Sequence, residues 1–130
     1  MPRPVPPQPG NTRSPRQRAG DATEDQAARH LQAQGLALLD RQVRYREGEL
    51  DLVCRDGDVL VFVEVRLRRH AGFGGGAASV DFFKRQRLIR AAQHYLISHW
   101  GSRLPACRFD VVSVDASGTI EWIRDAFALD

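Results

Sequence analysis

The segment GELDLVCRDGDVLVFVEVRLRR, residues 48–69, decides the fold, because it predicts two β-strands joined by a tight turn. The strands are expected over residues 49–55 and 59–67, with the turn at residues 56–58. Four charged residues interrupt the apolar runs of this hairpin: Glu49, Asp51, Glu64 and Arg66. Charged side chains inside a buried hairpin need compensating partners, so the segment also indicates where a functional site would lie.

The pairing of the two strands depends on the loop between them. Asp51 lies opposite Phe62 if the loop is 56–57 and opposite Glu64 if it is 57–58, and both registers remain open. In either register the four charged residues share one face, because side chains alternate between the two faces of a strand. The other face is uniformly apolar and is expected to be core: Leu50, Leu52, Val61, Val63, Val65 and Leu67.

Asp51 and Glu64 are thus expected to be neighbours at the edge of a hydrophobic surface. Two partly buried carboxylates are costly unless a cation or a shared proton compensates for them. Oxygen ligands that meet at one point suit Mg²⁺ or Mn²⁺. A solvated strand end in which Arg66 pairs with Glu64 explains the same residues, and geometry alone favours neither interpretation.

Helical and strand patterns flank the hairpin. Before it, Thr23 begins the capping box of a helix that Gly35 ends, and Glu24 lies on the inward side of the first turn. A first strand is expected over residues 36–46. After the hairpin, residues 68–78 predict a polar and then glycine-rich loop.

The remaining elements define the fold class. Ser79 is expected to cap a second helix over about residues 80–99, and strands are expected near 108–114 and 119–124. The order is therefore α-β-β-β-α-β-β. The second helix is long enough to cross over between parallel strands, which favours an α/β fold with a mixed sheet.

Composition divides the chain into a disordered tail, residues 1–20, and a single domain, residues 21–130. The tail holds six of the seven prolines, four arginines and no acidic residue, whereas the domain is close to neutral. No apolar run approaches the roughly 20 residues that span a bilayer, so no membrane partner is expected. The two cysteines lack paired spacing and indicate neither a zinc site nor a disulfide framework. The simplest setting is the cytoplasm.

Basic residues cluster on the second helix and on the first strand. They are candidate phosphate contacts, with solvated arginines as the common alternative: Lys84, Arg85, Arg87, Arg90, Arg44 and Arg46. Lys84 is the only lysine of the chain.

The motifs GELDL at 48–52 and FVEVR at 62–66 resemble the centre of the YraN-like family of bacterial proteins. The similarity continues through TEDQAARHL at 23–31 and RFDVV at 108–112, and it covers nearly the whole chain after the tail. That family in turn resembles the restriction-endonuclease-like, PD-(D/E)-x-K nuclease superfamily, closest in outline to Holliday-junction resolvases. The resemblance implies a mixed β-sheet flanked by helices and a divalent-metal nuclease site.

The resemblance also implies a role for each charged residue. Asp51 and Glu64 would be metal ligands, and Glu24 would be the first-helix acid that reaches such sites. Glu49 would be a further ligand or a supporting partner. Arg66 stands where the superfamily has a catalytic lysine; arginine stays protonated, so it can orient phosphate but cannot accept a proton from water. Lys84 matches a family lysine on the second helix and would supply an ammonium group if it reaches the site.

Two functions of different classes remain open. One is a nuclease that depends on Mg²⁺ or Mn²⁺ and acts on DNA, branched or single-stranded. The other is a non-cleaving nucleic-acid-binding module of the same fold, and Arg66 is the residue that separates them. Nucleic acid, with DNA as the expected form, is the partner in both cases, and homodimer formation is left open.

Overall fold

The computed structural model describes residues 14–68 and 81–128, without the side chains of residues 15–19. This part of the chain contains two helices and five strands: α1 (Pro15–Ala33), β1 (Ala37–Arg44), β2 (Glu49–Asp56), β3 (Val59–Arg68), α2 (Phe82–Trp100), β4 (Cys107–Asp115) and β5 (Ile120–Phe127). The predicted order α-β-β-β-α-β-β is confirmed.

The five strands form one mixed sheet in the order β1-β2-β3-β4-β5. Neighbouring strands are antiparallel except β3 and β4, which are parallel. Helix α2 connects these two strands, as a parallel pair requires. The predicted α/β class is therefore confirmed, and the architecture is consistent with a restriction-endonuclease-like fold.

The two helices contribute to separate apolar layers. Leu88 and Tyr95 of α2 pack with Phe62 of β3, in a layer whose α2 residues recur at helical spacing. Leu31 of α1 packs with Val63 of β3 in the second layer. Phe62 and Val63 are consecutive strand residues and point to opposite faces, so the sheet is covered on both sides.

The hairpin at the centre of the sheet has the second of the two open registers. Asp56 pairs with Val59, so Gly57 and Asp58 form the loop. Gly57 has a φ of 59°, a left-handed conformation that glycine adopts without steric cost. This register places Asp51 in line with Glu64.

The expected start of α1 at Thr23 is wrong, because the helix begins at Pro15. Proline is favoured in the first turn of a helix, where its missing N–H would have no partner. Thr23 lies inside the helix and is buried. The helix thus includes the last residues of the predicted tail, and residues 1–13 lie outside the described part of the chain.

The cap of α2 also differs from the expectation at Ser79. Asp81 is the N-cap, and its side chain accepts a hydrogen bond from the backbone N–H of Lys84 at 2.8 Å. Ser79 and nearly all of the predicted glycine-rich loop fall within residues 69–80, which lie outside the described residues.

Candidate functional site

The ladder between β2 and β3 stops where the acidic residues begin. Its regular pairs run from Asp56–Val59 to Leu52–Val63. Beyond them, the backbone N–H of Val65 donates a hydrogen bond to Oδ2 of Asp51 at 2.9 Å. The Asp51 side chain thus takes the place of a backbone acceptor and ends the ladder.

The predicted apolar face of the hairpin is only partly confirmed. Leu50 packs in the α2 layer and Leu52 packs in the α1 layer, so the expectation that they share a face is wrong. Gln42, which lies between the β1 residues paired with Leu50 and Leu52, has a φ of 50° and breaks the alternation of β1. Leu67, also expected in the core, is 47% exposed.

The carboxyl groups of Asp51 and Glu64 lie close enough for the charge of Glu64 to act on Asp51, and both line one cavity. Burial, with the negative charge of Glu64 as the second cause, raises the pKa of Asp51 to about 8, although the N–H of Val65 favours its ionised form. The Asp51 carboxyl group therefore holds a proton at neutral pH.

Lys84 of α2 supplies the cation nearest to this pair. Its Nζ lies 2.6 Å from Oε1 of Glu64. The Glu64 side chain is 7% exposed and the Lys84 side chain is 41% exposed, so the ammonium group reaches from solvent to a nearly buried carboxylate. The lysine that the family resemblance pointed to therefore reaches the acidic pair.

A cavity of about 210 Å³ lies over these groups. Its described lining consists of Glu49, Asp51, Glu64, Lys84, Arg87 and Leu88. Arg66 is outside this set; it follows Glu64 by two positions on β3, is half-buried and pairs with Ser113 in the parallel ladder. The cavity thus combines three carboxylates with two cationic side chains.

Glu24 approaches the acidic pair from α1. It is buried, and its Oε1 lies 3.4 Å from Nη2 of Arg41. Burial raises the pKa of Glu24, although Arg41 favours its ionised form, and the charge of Glu24 adds to the raised pKa of Asp51. Glu24, Glu49 and Asp51 line a second cavity of about 240 Å³. Asp51 therefore lies between two openings.

The donor groups suit a cation that binds together with substrate. Within residues 14–68 and 81–128, no three acidic, histidine or cysteine side chains form a group that could hold a metal ion by themselves. Mg²⁺, however, is usually bound through one or two carboxylates together with waters and substrate phosphates. Asp51 and Glu64 meet that requirement, and a cation would offset both the burial and the charge of Glu64 that raise the pKa of Asp51.

Gly48 explains the close approach of α2 to this end of β2, a role that the sequence analysis missed. A Cβ atom at residue 48 would lie 2.5 Å from the carbonyl oxygen of Arg87, far inside van der Waals contact. The backbone of Gly48 also closes the turn between β1 and β2 through two hydrogen bonds with Tyr45. The glycine of the GELDL motif therefore lets α2 lie against the hairpin beside the site.

The predicted phosphate contacts divide into two groups. Lys84 and Arg87 line the cavity. Arg44 lines the second cavity together with Asp51, and it pairs with Glu49 at 3.5 Å. The other three lie outside the described lining of the first cavity. The guanidinium of Arg85 lies over the ring of Phe127, 5.3 Å from its centroid. The charge of Arg46 acts on Glu47, and Arg90 is exposed on α2. The structure thus brings three of the six candidates to the cavities beside Asp51: Lys84 and Arg87 to the first, and Arg44 to the second.

Asp110 is a fully buried acid with a different role. It accepts hydrogen bonds from the Arg108 guanidinium, the indole N–H of Trp122 and the backbone N–H of Asp125, at distances of 2.9–3.3 Å. These donors satisfy its charge and join β4 to β5. Asp110, within the RFDVV motif, therefore stabilises the fold rather than the site.

A model of "Uncharacterised protein family UPF0102" matches residues 23–114. A UPF0102 protein of Xanthomonas campestris pv. campestris is 56% identical over 118 residues, covering 88% of this chain and 95% of that protein. One from Ralstonia nicotianae is 50% identical over 133 residues, covering 99% and 97% of the two chains. One from Dechloromonas aromatica is 50% identical over 111 residues, covering 85% and 89%.

Neither described helix is long and apolar enough to cross a membrane. The similarity to the YraN-like family that the GELDL and FVEVR motifs predict is confirmed. The family match over residues 23–114, together with relatives at least 50% identical over most of their length, shows that the chain belongs to UPF0102, the YraN-like family.

Proposed function

We propose that the protein is a divalent-metal-dependent nuclease that hydrolyses phosphodiester bonds in DNA, and that Asp51, Glu64 and Lys84 form its catalytic centre. The observation that carries the proposal is the contact of 2.6 Å between Lys84 Nζ and Glu64 Oε1, beside a carboxyl group whose pKa is raised to about 8. Perturbed carboxylates in a cavity are typical of functional sites.

The acidic residues have the roles that the geometry permits. Asp51 and Glu64 would hold Mg²⁺ or Mn²⁺, with Glu49 at the same cavity as a further ligand. Such a cation supplies water activation and neutralises charge on the scissile phosphate. Glu24, on the α1 side of Asp51, adds negative charge that favours cation binding.

The basic residues act on the phosphate. The ammonium group of Lys84 stabilises the negative charge that develops as the phosphodiester bond breaks. Arg87 lines the same cavity and can hold a neighbouring phosphate. Lys84 thereby supplies the ammonium group that Arg66 cannot, so arginine at residue 66 is compatible with catalysis.

A cleavage assay on single strands, flaps and four-way junctions, with Mg²⁺ and with Mn²⁺, tests the proposal. Wild-type protein should cleave at least one of these substrates. Lys84→Met keeps an unbranched side chain of nearly the same length but removes its charge, and it should lower the cleavage rate by about 10²-fold or more. Asp51→Asn should abolish cleavage, and Arg66→Lys should change it little.

Two results would contradict this assignment. Cleavage that survives Asp51→Asn would place the reaction elsewhere or in a contaminant. A clean wild-type protein that binds these DNAs but cleaves none of them, with either metal, would favour the non-cleaving binding module.

A further inference from the structure

We infer that the exposed face at the start of α2 is a stacking platform for unpaired bases, which makes single-stranded nucleic acid the substrate class. The inference deepens the proposed function and rests on it for the position of the scissile phosphate. The binding that it predicts does not require cleavage.

Two phenylalanines at this face are unusually exposed. Phe82 is 65% exposed and Phe83 is 77% exposed, and their ring centroids lie 5.7 Å apart at an interplanar angle of 80°. They occupy the first turn of α2, directly before Lys84. Adjacent large apolar side chains in solvent are a feature of binding surfaces.

Phe83 belongs to a stripe that leads to the acidic cavity. Phe83, Arg87 and Arg90 are spaced at i, i+4 and i+7, so they share one face of α2, and all three are exposed. Arg87 also lines the cavity that holds Asp51 and Glu64. The stripe therefore combines an aromatic ring with two cations and continues into the proposed site.

This combination matches the chemistry of a single strand. Aromatic rings stack on the faces of unpaired bases while basic side chains contact the phosphates between them. A duplex buries those base faces against neighbouring base pairs, so it would use only the cations. The arginines on the stripe complement the phosphate backbone and disfavour a purely apolar partner.

Fluorescence anisotropy with EDTA present tests the platform without cleavage. The probes are a labelled oligothymidylate of about 16 nucleotides, the upper end of common single-strand site sizes, and a labelled duplex of equal length. Phe83→Ala should weaken oligothymidylate binding by roughly 5- to 150-fold, the loss expected for one stacked base. It should leave duplex binding almost unchanged, and Phe83→Trp should preserve both affinities.

Ile97→Ala is the matched control, because Ile97 is 67% exposed on the same helix and far along it from the cavity. That variant should bind both probes like the wild type. Equal losses of Phe83→Ala on both probes, or no loss, would overturn the inference. So would a Phe83→Ala protein with unchanged DNA affinity but an altered oligomeric state, since the rings would then join two copies.

The two proposals fail in different ways. If single-strand binding depends on Phe83 but the protein cleaves nothing, the nuclease proposal is wrong and the stacking platform is supported. Cleavage that is lost with Asp51→Asn but insensitive to Phe83→Ala on every substrate would keep the nuclease and remove the platform.

Discussion

Asp51 makes the stability of the folded protein depend on pH. Its pKa is about 8 in the folded state, against an ordinary value of 3.8, so between these limits the folded chain binds more protons than the unfolded chain. Stability should therefore fall as pH rises from about 4 to about 8. Asp51→Asn should flatten this part of the profile in urea titrations. An unchanged profile in the variant would contradict the raised pKa.

Metal binding at the same residue should show the opposite dependence on pH. A cation competes with the proton that Asp51 holds, so Mg²⁺ should raise the melting temperature more at pH 8.5 than at pH 6, a choice of pH values on either side of a pKa of about 8. Calorimetry with and without Mg²⁺ measures the shift. Equal shifts in wild type and Asp51→Asn would indicate nonspecific binding.

The sequence predicted only part of this site, for physical reasons. The proximity of Asp51 and Glu64 follows from strand alternation and the length of the hairpin loop. The contact of Lys84 with Glu64 depends on how α2 packs against the sheet. The periodicity of apolar residues predicts a helix there but not its position relative to Glu64. The hydrogen bond from the Val65 N–H to Asp51 could not be predicted, because every residue except proline has a backbone N–H. The sequence does not show which of these groups meets a side chain.

At the scale of secondary-structure elements, Gly48 sets the distance between the hairpin and α2. Gly48→Ala would push the new methyl group against the Arg87 carbonyl, whose backbone is fixed in a helix, and should destabilise the protein by about 1–3 kcal/mol. It should also lower cleavage, because Lys84 moves with α2. Urea denaturation and the cleavage assay measure the two effects.

Gly20→Ala is the control for that substitution. Gly20 lies within α1, and a Cβ atom there would meet nothing within 4 Å. Alanine should therefore stabilise the helix by about 0.5–1 kcal/mol. If both variants were equally stable, the close approach at Gly48 would not be a constraint.

Predictability also varied between the elements. The five strands were recognisable because their apolar residues lie between clear turn signals. The start of α1 was missed because its first turn, residues 15–18, lies in a proline- and arginine-rich segment, where composition suggests a tail. Pro15 was in fact a helix-start signal.

At the scale of the whole molecule, the net positive charge is concentrated in residues 1–20, which hold four arginines and no acidic residue. Deleting residues 1–13 removes Arg3 and Arg13 but leaves α1 to begin at Pro15. The deletion should lower the salt dependence of DNA binding by roughly 1 to 2 in the logarithmic slope. Cleavage at saturating DNA should stay unchanged. Loss of cleavage at saturation would give the segment a role in the site itself.

The topology was predictable because one long helix between strands limits the choices. A crossover of that length favours parallel pairing, which β3 and β4 show. The packing of Leu50 in the α2 layer was not predictable from the sequence. The positive φ of Gln42 breaks the alternation of β1 beside Leu50, and one such break moves the following residues to the opposite face of the sheet.

Lys84 offers a single site in the chain for selective chemical labelling of a side-chain amine. It carries the only side-chain amine in the chain, and 41% of that side chain is open to solvent. An amine-selective ester should therefore acylate just this residue and a free α-amino group, and mass spectrometry would distinguish the two adducts. The rate of acylation at Lys84 would then report directly on whatever fills the cavity.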